Sequence, residues 1–164
     1  MELWNRQIKL ARYMLLGTVI LTVINIACLL GNADLFISYC AAVPYYLVWL
    51  GKLFDNGLYL GVINGEFTAT GLVMAGVVLG IWLILWWLAK NNCLWLKLGL
   101  AVVVIDLVLL VLLARALFEN WTDCLWEAAL HLGVIWEIAQ GIRAWKRQEE
   151  YLANHTDQPT MEYV

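Results

Sequence analysis

Along this chain apolar and polar positions separate into blocks the length of whole helices. Four apolar runs, Tyr13 to Gly31, Thr68 to Ala89, Leu94 to Ala114 and Cys124 to Ile142, are divided by short polar stretches. An α-helix rises 1.5 Å per residue and a bilayer's hydrocarbon is about 30 Å thick, so each run can cross it once. The pattern predicts an all-α integral membrane protein, a four-transmembrane-helix bundle. Residues 1–148 form a single membrane domain and 149–164 a polar, disordered C-terminal tail.

A fifth apolar segment, Leu35 to Leu53, is decided by charge. Lys and Arg near span ends collect on the cytoplasmic side. Arg6, Lys9 and Arg12 precede the first run, Lys90 and Lys97 flank the turn between the second and third, and Arg143, Lys146 and Arg147 follow the fourth. Lys52 and Arg115 stand alone in the other two connections. Four crossings put every cation-rich end inside, with both termini cytoplasmic, and a fifth would invert that. Leu35 to Leu53 is therefore expected as an interfacial or re-entrant helix on the extracytoplasmic side, broken or bent at Pro44, which disfavours the α conformation at Val43. Tyr39, Tyr45, Tyr46, Trp49, Phe54 and Tyr59 suit an aromatic cap at the membrane boundary. Asn64-Gly65 is expected to join Leu58 to Ile63 with Glu66 to Thr70 in a short hairpin.

Composition excludes a soluble domain, since 63% of the 164 residues are hydrophobic and only 14% charged. A net charge of -3, with cations confined to span ends, also excludes nucleic acid as a partner. The lipid bilayer is the expected partner, in the plasma membrane, with a homo-oligomer or a membrane partner protein besides. Arg6 to Arg12 before an apolar run resembles a signal sequence, and Gly31-Asn32-Ala33 a cleavage site. The run exceeds the usual 7 to 15 residues of a signal core, so it is expected as an uncleaved anchor.

The expected packing follows from small and polar residues. Gly71, Ala75, Gly76 and Gly80, which include the G-x-x-x-G of Gly76-Val77-Val78-Leu79-Gly80, let another helix approach closely inside the bundle, or in a dimer. Among the ten Trp of this tryptophan-rich chain, Trp82, Trp86 and Trp87 are expected as anchors at the cytoplasmic interface. Thr18, Thr22 and Asn25 share one helix face, which should look inward. The two Thr can bond their own backbone, so Asn25 carries more weight.

Ionisable residues inside apolar runs are the candidate site. Counted at 1.5 Å per residue, Asp106 lies roughly 12 Å below Ala114, His131 about 10 Å below Cys124 and Asn25 about 9 Å below Gly31. These three are expected to converge, with His131 the partner of Asp106. Glu127 lies one turn outward of His131 on the same face, while Glu137 lies nearer the cytoplasm, to meet water or Lys97. Such groups are costly in a bilayer, about 2.5–3.5 kcal/mol each on insertion scales, and mark either a register lock or a functional site.

Three readings follow. The first is a non-enzymatic accessory, regulatory or interaction subunit whose Asp106, His131 and Asn25 cluster is structural. The second is a proton-linked small-solute carrier or small oligomeric channel using Asp106 and His131. The third is a membrane-embedded enzyme with a metal on Glu127, His131 and Asp106, although no H-E-x-x-H or paired-Cys motif supports a metal or any cofactor. Cys40 and Cys124 map to the same outer side, where a disulfide could join them. Asn120-Trp121-Thr122 is a glycosylation sequon there, and His155 is a solvated tail residue.

Overall fold

The computed structural model describes residues 1–33, 37, 39–56, 65–117 and 121–156, with the backbone alone at 114–117, 121–123 and 156. All regular structure among them is helical: α1 (Glu2–Leu30), α2 (Ala42–Asp55), α3 (Glu66–Leu88), α4 (Cys93–Leu117) and α5 (Trp121–Thr156). Among the described residues α1, α3 and α4 are long and apolar enough to cross a membrane. Their outward faces are correspondingly apolar, with Val73, Val77 and Ile84 of α3 and Ile105 and Leu112 of α4 more than half exposed. At 36 residues α5 is the longest helix, but Glu127, His131, Glu137 and Gln140 dilute its apolar run.

The helices pack as two antiparallel pairs, α2 with α3 and α1 with α5, which meet directly through α1 and α3 and also through α4. In the pair α2 and α3, a Cβ on Gly71 would stand 2.4 Å from the Leu47 carbonyl oxygen, and one on Gly51 2.4 Å from that of Phe67. Only glycine permits this approach, and it lets the two backbones lie against each other. In the pair α1 and α5, Gly141 faces the Ala11 methyl group just as closely. Farther along this pair the rings of Trp4 and Tyr151 meet edge to face at 5.7 Å. Leu15, Val19, Trp82, Leu96, Val103 and Ile138 fill the core between the pairs.

The chain between α1 and α2 decides the shape of the interior. Beyond α1, the described non-helical residues 37 and 39–41 lie back alongside it, with Ile37 bonded to Asn25 and Ala41 to Thr22. α2 then returns in the opposite sense, and its Lys52 ammonium donates to the Leu29 carbonyl and to the Asn32 side chain at the end of α1. Pro44 does not bend a longer helix: it is the third residue of α2, in the first turn, where a missing N–H breaks no helical bond.

Other sequence expectations are corrected here. Glu66 to Thr70 is not a strand but the first turn of α3, entered through Gly65 at φ 69°; Leu58 to Ile63 lies outside the described residues. Gly71 and Ala75, not Gly76 and Gly80, carry the internal packing of α3, since a Cβ on either of the latter would meet nothing within 4 Å. Trp82 is 2% exposed and belongs to the core, whereas Trp87 faces outward. α5 continues through Thr156, carried by Tyr151 against Trp4 and by the Trp145 indole donating to Glu149. Residues 157–164 and Asn120 of the sequon lie outside the described residues.

Candidate functional site

A stretch of backbone that is neither helix nor strand has N–H and C=O groups to satisfy, and burial removes water as the partner. For Ile37, Ala41, Ala42 and Val43 those partners are side chains from two helices, α1 and α4. The Asn25 amide holds Ile37 on both sides, donating to its carbonyl at 2.8 Å and accepting from its N–H at 2.9 Å. Thr22 donates to the Thr18 carbonyl and accepts the Ala41 N–H at 2.7 Å. Thr18 donates to the Met14 carbonyl, so the Tyr39 hydroxyl is the donor in their 2.8 Å contact.

Asp106 completes this set from α4. Its Oδ2 accepts the Ala42 N–H at 2.8 Å and its Oδ1 the Val43 N–H at 2.9 Å. These are the first two N–H groups of α2, which no helical carbonyl can reach. The Ala41 side chain preceding them offers no cap, so a carboxylate from another helix supplies it, where the helix dipole also favours negative charge. His131 on α5 holds Asp106 in turn. Its Nε2 lies 3.0 Å from Oδ2, its Nδ1 lies 2.9 Å from the Glu127 carbonyl one turn back, and Tyr39 packs edge-on against its ring at 5.0 Å. Asp106 is 1% exposed and His131 fully buried.

A second cap of the same kind stands at the far end of α2. Asp55 accepts the N–H groups of Phe67 (3.2 Å) and Thr68 (2.7 Å) and the Thr68 hydroxyl, closing the first turn of α3. The Thr68 hydroxyl, and then the backbone N–H groups, hold the Asp55 carboxyl below its ordinary range. α2 is thus fixed at both ends by aspartates, one received from α4 and one given to α3.

Of the residues singled out from sequence, Asp106 and His131 are in direct contact. Asn25 is buried but spends its amide on Ile37, away from that pair. Glu127 is 7% exposed, and its carboxylate accepts from the Cys40 thiol at 3.7 Å. Glu137 is half-buried and makes no ion pair with Lys97 among the described residues. Cys40 and Cys124 are both buried free thiols. Among the described residues no three His, Cys, Asp or Glu are grouped so as to hold a metal; both nitrogens of His131 are already engaged by Glu127 and Asp106. The sequence reading missed Thr22, Tyr39, Cys40 and Asp55. Thr22 had a signal, its place on the Asn25 face. Asp55 had only its position in a turn-rich stretch upstream of α3.

Compared with protein-family models, curated proteins and solved structures, the chain matches none of them.

Proposed function

We propose that this chain is a small four-span membrane protein with a re-entrant segment, acting as a non-enzymatic accessory or interaction subunit whose intramembrane polar cluster is structural. α1, α3, α4 and α5 are the crossings. The contact of Trp4 of α1 with Tyr151 of α5 supports a common side for the start of α1 and the end of α5, and with it an even number of crossings. α5 is then the fourth, with Leu125, Trp126, Leu132 and Trp136 on an apolar outward face. The cation-rich ends place that common side in the cytoplasm. Ile37 lies beside Asn25 and Ala42 and Val43 lie at Asp106, and α2 returns from that level toward the outer surface. Irregular backbone at membrane depth is tolerated where protein buries it.

One observation carries the structural reading: Asn25, Thr22, Asp106 and His131 each direct hydrogen bonds to Ile37, Ala41, Ala42 or Val43 or to one another, and the remaining bonds of Thr22 and His131 go to carbonyls of their own helices. Asp106→Asn and His131→Gln are expected to lower folded yield in detergent and to leave ion and proton flux in liposomes at the protein-free level. Unchanged yield in both variants, or wild-type proton flux abolished by Asp106→Asn, would instead favour the proton-linked carrier.

A further inference from the structure

Proton inventory at the Asp106–His131 contact restricts the states in which it can exist. A carbonyl oxygen only accepts, so His131 Nδ1, facing the Glu127 carbonyl, must carry a hydrogen. Nε2 faces Asp106 Oδ2, which also accepts the Ala42 N–H, while Oδ1 accepts the Val43 N–H. Between Nε2 and Oδ2 there is therefore place for one proton. Whether it resides on nitrogen or oxygen, the pair is neutral overall, which suits burial in hydrocarbon.

Removing that proton sets two lone pairs against each other at 3.0 Å. Adding another leaves Oδ1 to receive it, on the lone pair that the Val43 N–H does not use; the carboxyl is then uncharged beside an imidazolium, and its bonds from the Ala42 and Val43 N–H groups lose the charge that strengthens them. Either change attacks the two bonds that cap α2. Deepening the structural reading above, on which it rests, we infer that the Asp106–His131 contact is a one-proton latch: gain or loss of a single proton releases the first turn of α2 and the preceding residues 39–41.

The surroundings limit what else could do this. On α5 the titratable neighbour of Asp106 is Glu127, and on the non-helical segment they are Tyr39 and Cys40. Tyr45 and Tyr46 of α2 face Glu127 instead. α1 presents the neutral Thr22, and α3 has no titratable side chain beyond Glu66. Lys and Arg are absent from this set. No fixed cation beside the pair can therefore substitute for the proton that is lost or gained.

Cys40 reports on the latch because it is fully buried within the released segment. With Cys28, Cys93 and Cys124 replaced by Ala, its labelling by 4,4′-dithiodipyridine is followed against pH in detergent and normalised to unfolded protein at each pH. Helicity is monitored in parallel. The expected profile has a protected plateau, with labelling rising on both the acid and the alkaline side by up to about tenfold per pH unit for one linked proton. Helicity should hold throughout. Asp106→Asn should label fast and independently of pH. His131→Gln should lose the alkaline limb and keep the acid one, where Asp106 alone is protonated. A flat wild-type profile overturns the latch even if Asp106→Asn does not fold, and so does a His131→Gln profile identical to wild type. A flat profile together with reduced yield of Asp106→Asn removes the latch and leaves the structural reading standing.

Discussion

Asn25 and Glu137 are both polar residues inside apolar runs, and the structure gives them opposite weight. Removing the Asn25 amide leaves the part-buried N–H and carbonyl of Ile37 without their partner, at a cost of up to about 1–3 kcal/mol for each group that water does not reach. Asn25→Ala should therefore lose most of that in unfolding titrations in detergent, whereas Glu137→Gln, at a half-buried position, should stay within about 0.5 kcal/mol of wild type. Asp55 makes a prediction in pH. Its carboxyl is held below the ordinary range by Thr68, so the folded pKa is below the unfolded one. The stabilisation is then complete above about pH 4, where a free carboxyl titrates, and is lost as pH falls through the lowered folded value. Thermal unfolding of wild type should weaken in that acid window, and Asp55→Asn should be less stable at neutral pH and flat across it. A result with wild type and variant parallel at all pH values would remove Asp55 as the cap of α3.

At the scale of elements, helix existence was legible and helix partnership was not. Apolar runs and charged ends located α1, α3 and α4, because length and hydropathy are local properties. Which glycine touches a neighbour depends on helix phase relative to a partner, and the pattern Gly76 to Gly80 carries no record of that. Gly71 packs on α2 while Gly76 and Gly80 face open space. Gly71→Leu should separate α2 from α3 and cost about 1–3 kcal/mol or more, since the obstacle is the Leu47 backbone and not a movable side chain. Gly76→Leu should be neutral in the same assay; equal losses would mean that the α2–α3 contact is not the tight one. Pro44 was legible as a discontinuity, but a proline that bends a helix and one that starts a helix look alike until the preceding residues are seen to be extended.

For the whole molecule, the sequence carried the depth of the polar residues but not what they serve. Counting along α4 and α5 put Asp106 and His131 at one level, and they meet at 3.0 Å. The same counting put Asn25 with them, and that failed because its nearest unsatisfied partner is the backbone of Ile37. Side chains were compared with side chains, while the interior is organised by a stretch of main chain. The four-span arrangement also makes a global prediction. A cysteine at position 150, in a background without other cysteines, should resist an impermeant maleimide on intact cells and react after permeabilisation. Labelling without permeabilisation would put both ends outside or require an odd number of crossings.

The two aspartates that hold α2 differ in when they become available. Asp55 and Thr68 are 13 residues apart, whereas Ala42 lies 64 residues before Asp106. During synthesis the α2–α3 hairpin can close as soon as α3 has emerged, and Ile37 and Ala41 find their partners on α1 behind them, but the Ala42 and Val43 N–H groups must wait for α4, and for the His131 of α5 that holds its aspartate. An interrupted chain ending before Asp106 is the form most exposed to membrane quality control, and the last helices to be made are the ones that finish the first loop.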